Sequence, residues 1–311
     1  MQVRIGTRGS ALALWQAEWV RSQLRAAHPG LTVDLVTIKT QGDKILDVPL
    51  AKVGGKGLFV KEIEEALLEG RVDVAVHSMK DMPADLLAGL HVAAVPLRED
   101  PRDVLVMGEG SGFADLPRGA RVGTSSLRRA AQLLHLRADL KIETLRGNLD
   151  TRLRKLEAQG FHAVVLAAAG IKRMGLSHLI TQYLEPELML PAVGQGALGI
   201  ETRTEDAPTN ELVAGLAHQP TMVAVRAERA FLRRLQGGCQ VPIGGYATLE
   251  GERLVLTGMV ADLQGRRVIR RVLHGEARQA EEVGENLAEV VLAAGGADIL
   301  AEIYGSPVPA V

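Results

Sequence analysis

Apolar and polar positions alternate with two different periods along the first part of the chain. The apolar run Val3–Gly6 predicts a strand, and the segment after it has helical spacing, with Ser10 as a candidate N-cap and His28-Pro29-Gly30 as its end. Leu31–Ile38 then alternates like a strand. Strands that alternate with helices in this way predict an α/β domain.

The next cycle contains a helix, a buried strand and one long irregular segment. Lys56–Glu69 has helical spacing and stops at Gly70, and Val72–Val76 is a continuous apolar run, as expected of a strand covered on both faces of a parallel sheet. The glycine-rich segment 42–57 is either a mobile lid or a surface loop. Its GGKG lacks the spacing of a phosphate-binding loop.

A second α/β cycle follows the charged segment LREDPRD, residues 97–103. The pattern predicts, in order, strand Arg121–Gly123, helix Leu127–Arg137, strand Lys141–Leu145, helix Leu149–Gln159 and strand His162–Ala168. We therefore expect a second α/β domain.

The pattern changes again from Gly245 onward. Three strands are predicted at 245–249, 252–260 and 266–274, with hairpin turns at Glu250-Gly251 and Gln264-Gly265 and a helix over 276–294. This order indicates a small antiparallel sheet covered by helices.

Composition limits the classes of function that fit these elements. The 311 residues suggest two or three domains, and 47% apolar with 23% charged residues is typical of a globular protein. A formal net charge of −1 and 3% aromatic residues argue against nucleic acid as a partner. The single cysteine excludes an intrachain disulfide, and the chain shows neither a signal-peptide pattern nor an apolar run long enough for a membrane helix. We expect a cytoplasmic protein with no membrane partner.

Charged side chains directly follow the predicted strands of both α/β domains. They are Arg8 after the first strand, Lys80 and Asp81 after Val72–Val76, Arg128 and Arg129 after Arg121–Gly123, and Arg146 after Lys141–Leu145. Ligands of open α/β sheets bind outside the carboxyl ends of the strands, so two facing domains would direct these cations into one cleft. Several guanidinium groups together indicate a ligand with several carboxylates or phosphates. The alternative, ordinary surface charge, stays open.

Two further residues have both a structural and a chemical interpretation. Asp81 in VHSMKDMP is either a cap or turn former before Pro83, or a lone carboxylate among cations that stabilises a positive intermediate or moves a proton. Cys239 in GGCQVPIGG is either a small buried hydrophobe or a nucleophile on a loop between two domains. The eight histidines are scattered, His77 is interpreted as structural, and no motif for zinc or for a hydrolase is present. We expect no metal.

Seven long motifs occur together: GTRGSALALWQ, AKVGGKGLFVKE, VHSMKDMPADL, VGTSSLRR, LRGNLDTR, LPAVGQGALGIE and GGCQVPIGGYA. In these the chain resembles the porphobilinogen deaminase (hydroxymethylbilane synthase) family. The resemblance implies two lobes like those of periplasmic binding proteins and a small α+β C-terminal domain. The implied bounds are 1–98 completed by 194–215 for domain 1, 99–193 for domain 2 and 216–311 for domain 3.

The resemblance also implies a chemistry. Cys239 would hold a dipyrromethane cofactor through a thioether, and Asp81 would be the catalytic carboxylate. Cofactor carboxylates would be bound by Ser78, Lys80, Thr124, Ser126, Arg128, Arg129 and Arg146. Incoming or growing pyrroles would be bound by Arg8, Ser10, Arg152, Arg173 and Gln195.

The function so implied is a transferase of porphyrin and haem biosynthesis. It would join four porphobilinogen molecules, with release of ammonia, into linear hydroxymethylbilane on the covalent primer, as a cytoplasmic monomer. A non-catalytic two-lobed protein that binds a polycarboxylate is the first alternative. An enzyme that forms a Schiff base on Lys56 or Lys80 is the second.

Overall fold

The computed structural model describes residues 2–44, 60–238 and 240–306. These residues form two compact units. The first contains the described residues up to 99 together with 196–222, and the second contains 100–195 together with 223–306. The division into three domains stays a prediction.

The first unit is built on a five-stranded mixed sheet with the order β2-β1-β3-β10-β4. Numbered along the chain, its strands are β1 (Gln2–Thr7), β2 (Thr32–Thr37), β3 (Val74–Ser78), β4 (Leu90–Ala94) and β10 (Leu198–Arg203). Strands β2, β1 and β3 are parallel, whereas β10 runs antiparallel between β3 and β4. The chain therefore returns to this sheet after residues 100–195, which belong to the second unit.

Helices accompany the first sheet, and the longer ones bury apolar side chains against it. They are α1 (Ala11–Ala27), α2 (Gln41–Lys44), α3 (Lys61–Leu68) and α7 (Ala207–Ala214). The Ser10 side chain caps α1 as predicted, since its hydroxyl accepts the Ala13 N–H at 3.3 Å. Ala17, Val20 and Leu24 of α1 pack on Val3 and Ile5 of β1.

The second unit begins with a sheet of the same design, with the order β7-β6-β8-β5-β9. Its strands are β5 (Asp103–Met107), β6 (Arg121–Gly123), β7 (Lys141–Glu143), β8 (Ala163–Ala167) and β9 (Gln182–Leu184). Three neighbours are parallel, and β5 is antiparallel to both β8 and β9. Its helices are α4 (Leu127–Leu136), α5 (Leu149–Ala158) and α6 (Ala168–Arg173).

A three-stranded antiparallel sheet completes the second unit. Its strands are β11 (Ile243–Glu250), β12 (Arg253–Ala261) and β13 (Val268–Glu276), joined at Gly251 and Gly265 with positive φ angles of 62° and 67°. Helices α8 (Gln219–Arg234), α9 (Ala280–Val291) and α10 (Ala297–Tyr304) accompany it. The predicted fold class, α/β with a C-terminal antiparallel sheet and helices, is confirmed.

The structure corrects several predicted boundaries. Strand β3 starts at Val74 rather than Val72, because the Val72 N–H donates to Ala66 O in the turn that ends α3. The helix predicted over 276–294 starts as α9 only at Ala280, and Gly295, with a φ of 105°, separates it from a further helix, α10, that was not predicted. Strands β4, β5, β9 and β10 were not predicted from the pattern of residues. In the segment 42–57, residues 42–44 belong to α2 and the remainder lies outside the described residues.

Candidate active site

The charged residues that the sequence predicts for the site of the first unit lie at one edge of its sheet. Strands β1 and β3 are parallel neighbours, with Ile5 beside Val74 and Gly6 beside Ala75. Their carboxyl ends therefore meet, which places Arg8 beyond β1 at the same edge as Lys80 and Asp81 beyond β3. This is the arrangement expected from the order of strands and charges.

A pocket opens at this edge. It is lined by Arg8, Ser10, Leu12, Ala13, Gln16, Val60, Val76, His77, Ser78 and Asp81. The Gln16 amide donates to the Ser78 hydroxyl at 2.9 Å, which ties α1 to the end of β3. Four of the predicted site residues, Arg8, Ser10, Ser78 and Asp81, thus share one pocket.

Asp81 has the exposure that a reacting carboxylate needs. It ends a 3-10 turn, Met79–Asp81, and its side chain is exposed. Its carboxylate makes no hydrogen bond within residues 2–44, 60–238 and 240–306, so no capping bond is observed there. An exposed carboxylate beside cations can stabilise a positive charge or accept a proton.

The second unit repeats the arrangement at the carboxyl ends of β6 and β7, which are also parallel neighbours. After β6, the buried Thr124 accepts the Ser126 N–H at 3.2 Å, and the Ser126 hydroxyl caps α4 by accepting the Arg129 N–H at 3.4 Å. The first turn of α4 therefore presents Arg128 and Arg129 at the positive end of the helix dipole. This end of the helix favours anions.

Arg128 and Arg129 are held by a buried carboxylate that the sequence analysis did not identify. Asp103 at the start of β5 is fully buried, and its carboxylate accepts Arg128 Nη1 at 2.7 Å and Arg129 Nη2 at 2.7 Å. Burial alone would favour the neutral acid, but the two guanidinium groups outweigh it and hold the pKa of Asp103 well below its usual range. The network therefore carries more positive than negative charge.

Gln195 belongs to the same network. Its side-chain amide donates to Asp103 Oδ1 at 2.9 Å and to Pro101 O at 2.7 Å. The preceding residue, Gly194, donates its N–H to Glu228 Oε2 at 2.6 Å, and Glu228 Oε1 accepts the Ala247 N–H at 2.9 Å. Glu228 was also missed, because a single Glu on an amphipathic helix gives no signal of burial in the sequence.

Arg146 lies on the turn between β7 and α5, and Arg152 lies in the first turn of α5. Arg152 Nε donates to Gly147 O at 2.9 Å, and Lys155 Nζ donates to Arg146 O at 3.2 Å. Gly147 has a φ of 114°, and a side chain there would meet Thr151 at 2.5 Å, so the tight turn requires glycine. Both arginines are thus held at the edge that Arg128 and Arg129 occupy.

The remaining predicted site residues are placed as follows. Arg173 is the last residue of α6, and Lys80 is half-buried in the turn after β3. Cys239 lies outside the described residues. Among the described residues, no group of three His, Cys, Asp or Glu side chains could hold a metal ion. Over the same residues no helix is both long and apolar enough to cross a membrane.

Two sheets with cations at their carboxyl edges, one of them beside an exposed carboxylate, define an α/β protein equipped for ligands that carry several carboxylates. Comparison with known families gives the particular one. The family model "Porphobilinogen deaminase, dipyromethane cofactor binding domain" matches residues 3–211, and "Porphobilinogen deaminase, C-terminal domain" matches residues 222–293. The chain belongs to the porphobilinogen deaminase family.

Full-length relatives agree. Porphobilinogen deaminase of Syntrophotalea carbinolica is 59% identical over 309 residues, which cover 99% of this chain and 98% of the relative. That of Nitratidesulfovibrio vulgaris is 57% identical over 307 residues and covers 97% of both chains.

Solved structures give a more distant likeness. The methionine binding protein MetQ matches with a TM-score of 0.45 at 15% identity, covering 69% of this chain and 89% of its own. A methionine-binding lipoprotein of Bacillus subtilis matches with a TM-score of 0.43 at 12% identity, covering 70% and 90%.

The residues of the second unit fit the dipyrromethane group named by the family model. Arg128 Nε and Arg146 Nε are buried and have no hydrogen-bond partner within residues 2–44, 60–238 and 240–306. Unused donors on two guanidinium groups at one sheet edge match the acetate and propionate carboxylates of a pyrrole pair.

Proposed function

We propose that this protein is a hydroxymethylbilane synthase, a transferase that joins four porphobilinogen molecules into a linear tetrapyrrole and releases ammonia. The observation that supports this most strongly is the pocket shared by Asp81 and Arg8. An anion and a cation at one sheet edge suit a substrate that carries carboxylates and becomes cationic during the reaction.

Asp81 has the central role in this proposal. Loss of ammonia from porphobilinogen leaves an electrophilic, positively charged pyrrole. The exposed Asp81 carboxylate would stabilise that charge and accept the proton that is lost when the new carbon–carbon bond forms. Because the pocket also contains Ser10, its hydroxyl would bind the substrate carboxylates together with Arg8.

A second group of the predicted residues would bind the primer. A dipyrromethane attached to Cys239 would supply the free pyrrole α-carbon to which substrate units are added. Its carboxylates would be bound by Ser78, Lys80, Thr124, Ser126, Arg128, Arg129 and Arg146. A thiolate is a suitable nucleophile for the attachment, because it is soft and easily formed near cations.

The growing chain would be bound by Arg152 and Arg173. Gln195 is fully buried and donates to Asp103, so we assign it the role of orienting that carboxylate and, through it, Arg128 and Arg129. We expect the enzyme to act as a cytoplasmic monomer on a small-molecule substrate, without nucleic acid or membrane as a partner.

Substitution of Asp81 tests the proposal. Asp81→Asn nearly preserves shape but removes the anion, so turnover of porphobilinogen should fall about 100-fold or more. Asp85→Asn, at an exposed position four residues later that does not line the pocket, is the matched control and should retain the activity of the parent. If Asp81→Asn turns over porphobilinogen like the parent, Asp81 is not the catalytic carboxylate.

A further inference from the structure

Three ionisable side chains lie buried behind the pocket, and the proposed reaction does not use them. Glu64 belongs to α3, His77 to β3 and Glu201 to β10, and their exposed fractions are 4%, 5% and 0%. His77 Nε2 donates to Glu201 Oε2 at 3.0 Å. His77 is also one of the residues that line the pocket of Asp81.

The sheet register explains why these residues meet. β10 runs antiparallel to β3, with Gly199 beside His77 and Glu201 beside Ala75. Side chains two residues apart on a strand point to the same face, so His77 and Glu201 are diagonal neighbours on one face. Helix α3 packs on β3 and β10 with Ile63, Glu64, Ala66 and Leu67 buried, which directs Glu64 toward this face.

The carboxylate oxygens of this cluster lack some of the hydrogen-bond partners that ionised groups need when they are buried. Glu64 Oε1 and Glu201 Oε1 are both buried and have no hydrogen-bond partner within residues 2–44, 60–238 and 240–306. Two buried carboxylates that face one imidazole cannot both ionise without a large desolvation cost. Burial, reinforced by the Glu201 carboxylate and opposed by His77, raises the pKa of Glu64 to about 7.

Other charged groups lie on or near α3, among them Glu62, whose Oε1 accepts the Gln41 N–H at 2.8 Å. Glu65 on the same helix contacts Lys61, with a distance of 3.9 Å between Nζ and Oε1. At the other end of this sheet face, Arg4 of β1 and Arg203 of β10 both bind Asp73, at 2.8 Å and 3.3 Å. Arg203 also binds Asp206, beyond β10.

We propose that Glu64, Glu201 and His77 are a proton-holding cluster behind the pocket of Asp81, in which Glu64 keeps its carboxyl proton while the pocket binds carboxylate-bearing pyrroles. Loss of that proton puts one negative charge behind the pocket and weakens binding. The effect on porphobilinogen rests on the proposed function. Glu64 and Glu201 touch neither the substrate nor the reacting atoms in this proposal, and Glu64 acts on binding through the electric field of its charge.

The size of the effect follows from Coulomb's law. For a separation of about 10 Å and an effective dielectric constant of about 20–40, one added charge changes the affinity for a carboxylate roughly 4- to 15-fold. KM for porphobilinogen should therefore rise by that factor between about pH 6 and pH 8.5, whereas kcat changes less. Glu64→Gln, which is always neutral, should show a flat KM over the same range.

The test uses the cofactor-loaded enzyme and has a readout that is independent of activity. ¹³C NMR titration of glutamate carboxyls should find one carboxyl that titrates near pH 7 in the parent and is missing in Glu64→Gln. In Glu201→Gln the same carboxyl should titrate at lower pH, because the neighbouring negative charge is removed. Glu69→Gln is the control, since Glu69 is exposed just after α3, and it should match the parent in both measurements.

The outcomes are distinguishable. If every glutamate carboxyl of the parent ionises at acidic pH, or if Glu64→Gln keeps the pH dependence of KM shown by the parent, the proton-holding cluster is wrong. A parent enzyme that never turns over porphobilinogen would overturn the proposed function, and the titration of Glu64 would still decide on the cluster. If Glu64→Gln fails to fold, the titration of the parent enzyme still tests the proposal.

Discussion

Asp103→Asn should be the most destabilising conservative substitution at the cofactor-binding edge. The parent carboxylate accepts four hydrogen bonds, from Arg128 Nη1, from Arg129 Nε and Nη2, and from the Gln195 amide, at 2.7–3.0 Å. In the variant, an amide N–H₂ must face these donors, and two guanidinium groups with side-chain exposures of only 5% and 6% lose their counterion.

The magnitude follows from that burial. Removal of one partner from a buried ion pair typically costs about 3–5 kcal/mol. For a unit of this size, 1 kcal/mol lowers the melting temperature by roughly 2–4 °C, so the expected loss is on the order of 10 °C. Since the pKa of Asp103 is held below its ordinary value of 3.8, the carboxylate stabilises the fold fully above about pH 4 to 5. This contribution is lost only as the pH falls through the lower, folded-state pKa.

Differential scanning calorimetry of the parent and the variant at pH 5, 7 and 8 measures this difference. Asp139→Asn is the control, because Asp139 pairs with Arg137 at 2.7 Å while remaining partly exposed, and it should change the melting temperature much less. The gap between parent and Asp103→Asn should be constant from pH 5 to pH 8. A variant that melts within about 2 °C of the parent at pH 7 would refute the reasoning.

Two further predictions concern the covalent chemistry. Cys239→Ala should fold like the parent, with an unchanged circular dichroism spectrum, but its intact mass should show no attached pyrrole and it should have no turnover; normal activity would exclude the thioether. Arg152→Ala should shift the covalent intermediates toward early species in rapidly quenched mass spectrometry, because a pyrrole without this bidentate partner is held less well for attack. Arg154→Ala, on the exposed side of α5, is its control, and an unchanged distribution in Arg152→Ala would remove Arg152 from the binding set.

Periodicity and turn chemistry predicted most of the fold because those signals are local. Ser10 before a helical pattern, and glycines at Gly251 and Gly265 between alternating strands, each have one main structural solution. Periodicity could not predict the antiparallel strands β5 and β10. Their partners are distant in sequence, and a buried strand is apolar whichever direction it runs. The return of the chain to the first sheet was implied only by family resemblance.

Some residues of the candidate site could be identified from the sequence, and others could not. Arg8, Lys80, Asp81, Arg128 and Arg146 could be identified because each follows a strand, and parallel strands end at one edge. Asp103 could not be identified, since it ends the charged segment LREDPRD, which reads as a linker, and its burial arises from tertiary packing. The one signal available was that it directly precedes the apolar run of β5.

The intact mass of the purified protein, before and after brief exposure to limited porphobilinogen, tests the central proposal most directly. We predict a mass above that of the sequence by two pyrrole units, carried at Cys239. Exposure to substrate should add discrete species, each heavier by one porphobilinogen minus one ammonia. A protein at its bare sequence mass, with no covalent series at any substrate ratio, would contradict the proposed enzyme and return the alternative of a non-catalytic polycarboxylate-binding protein.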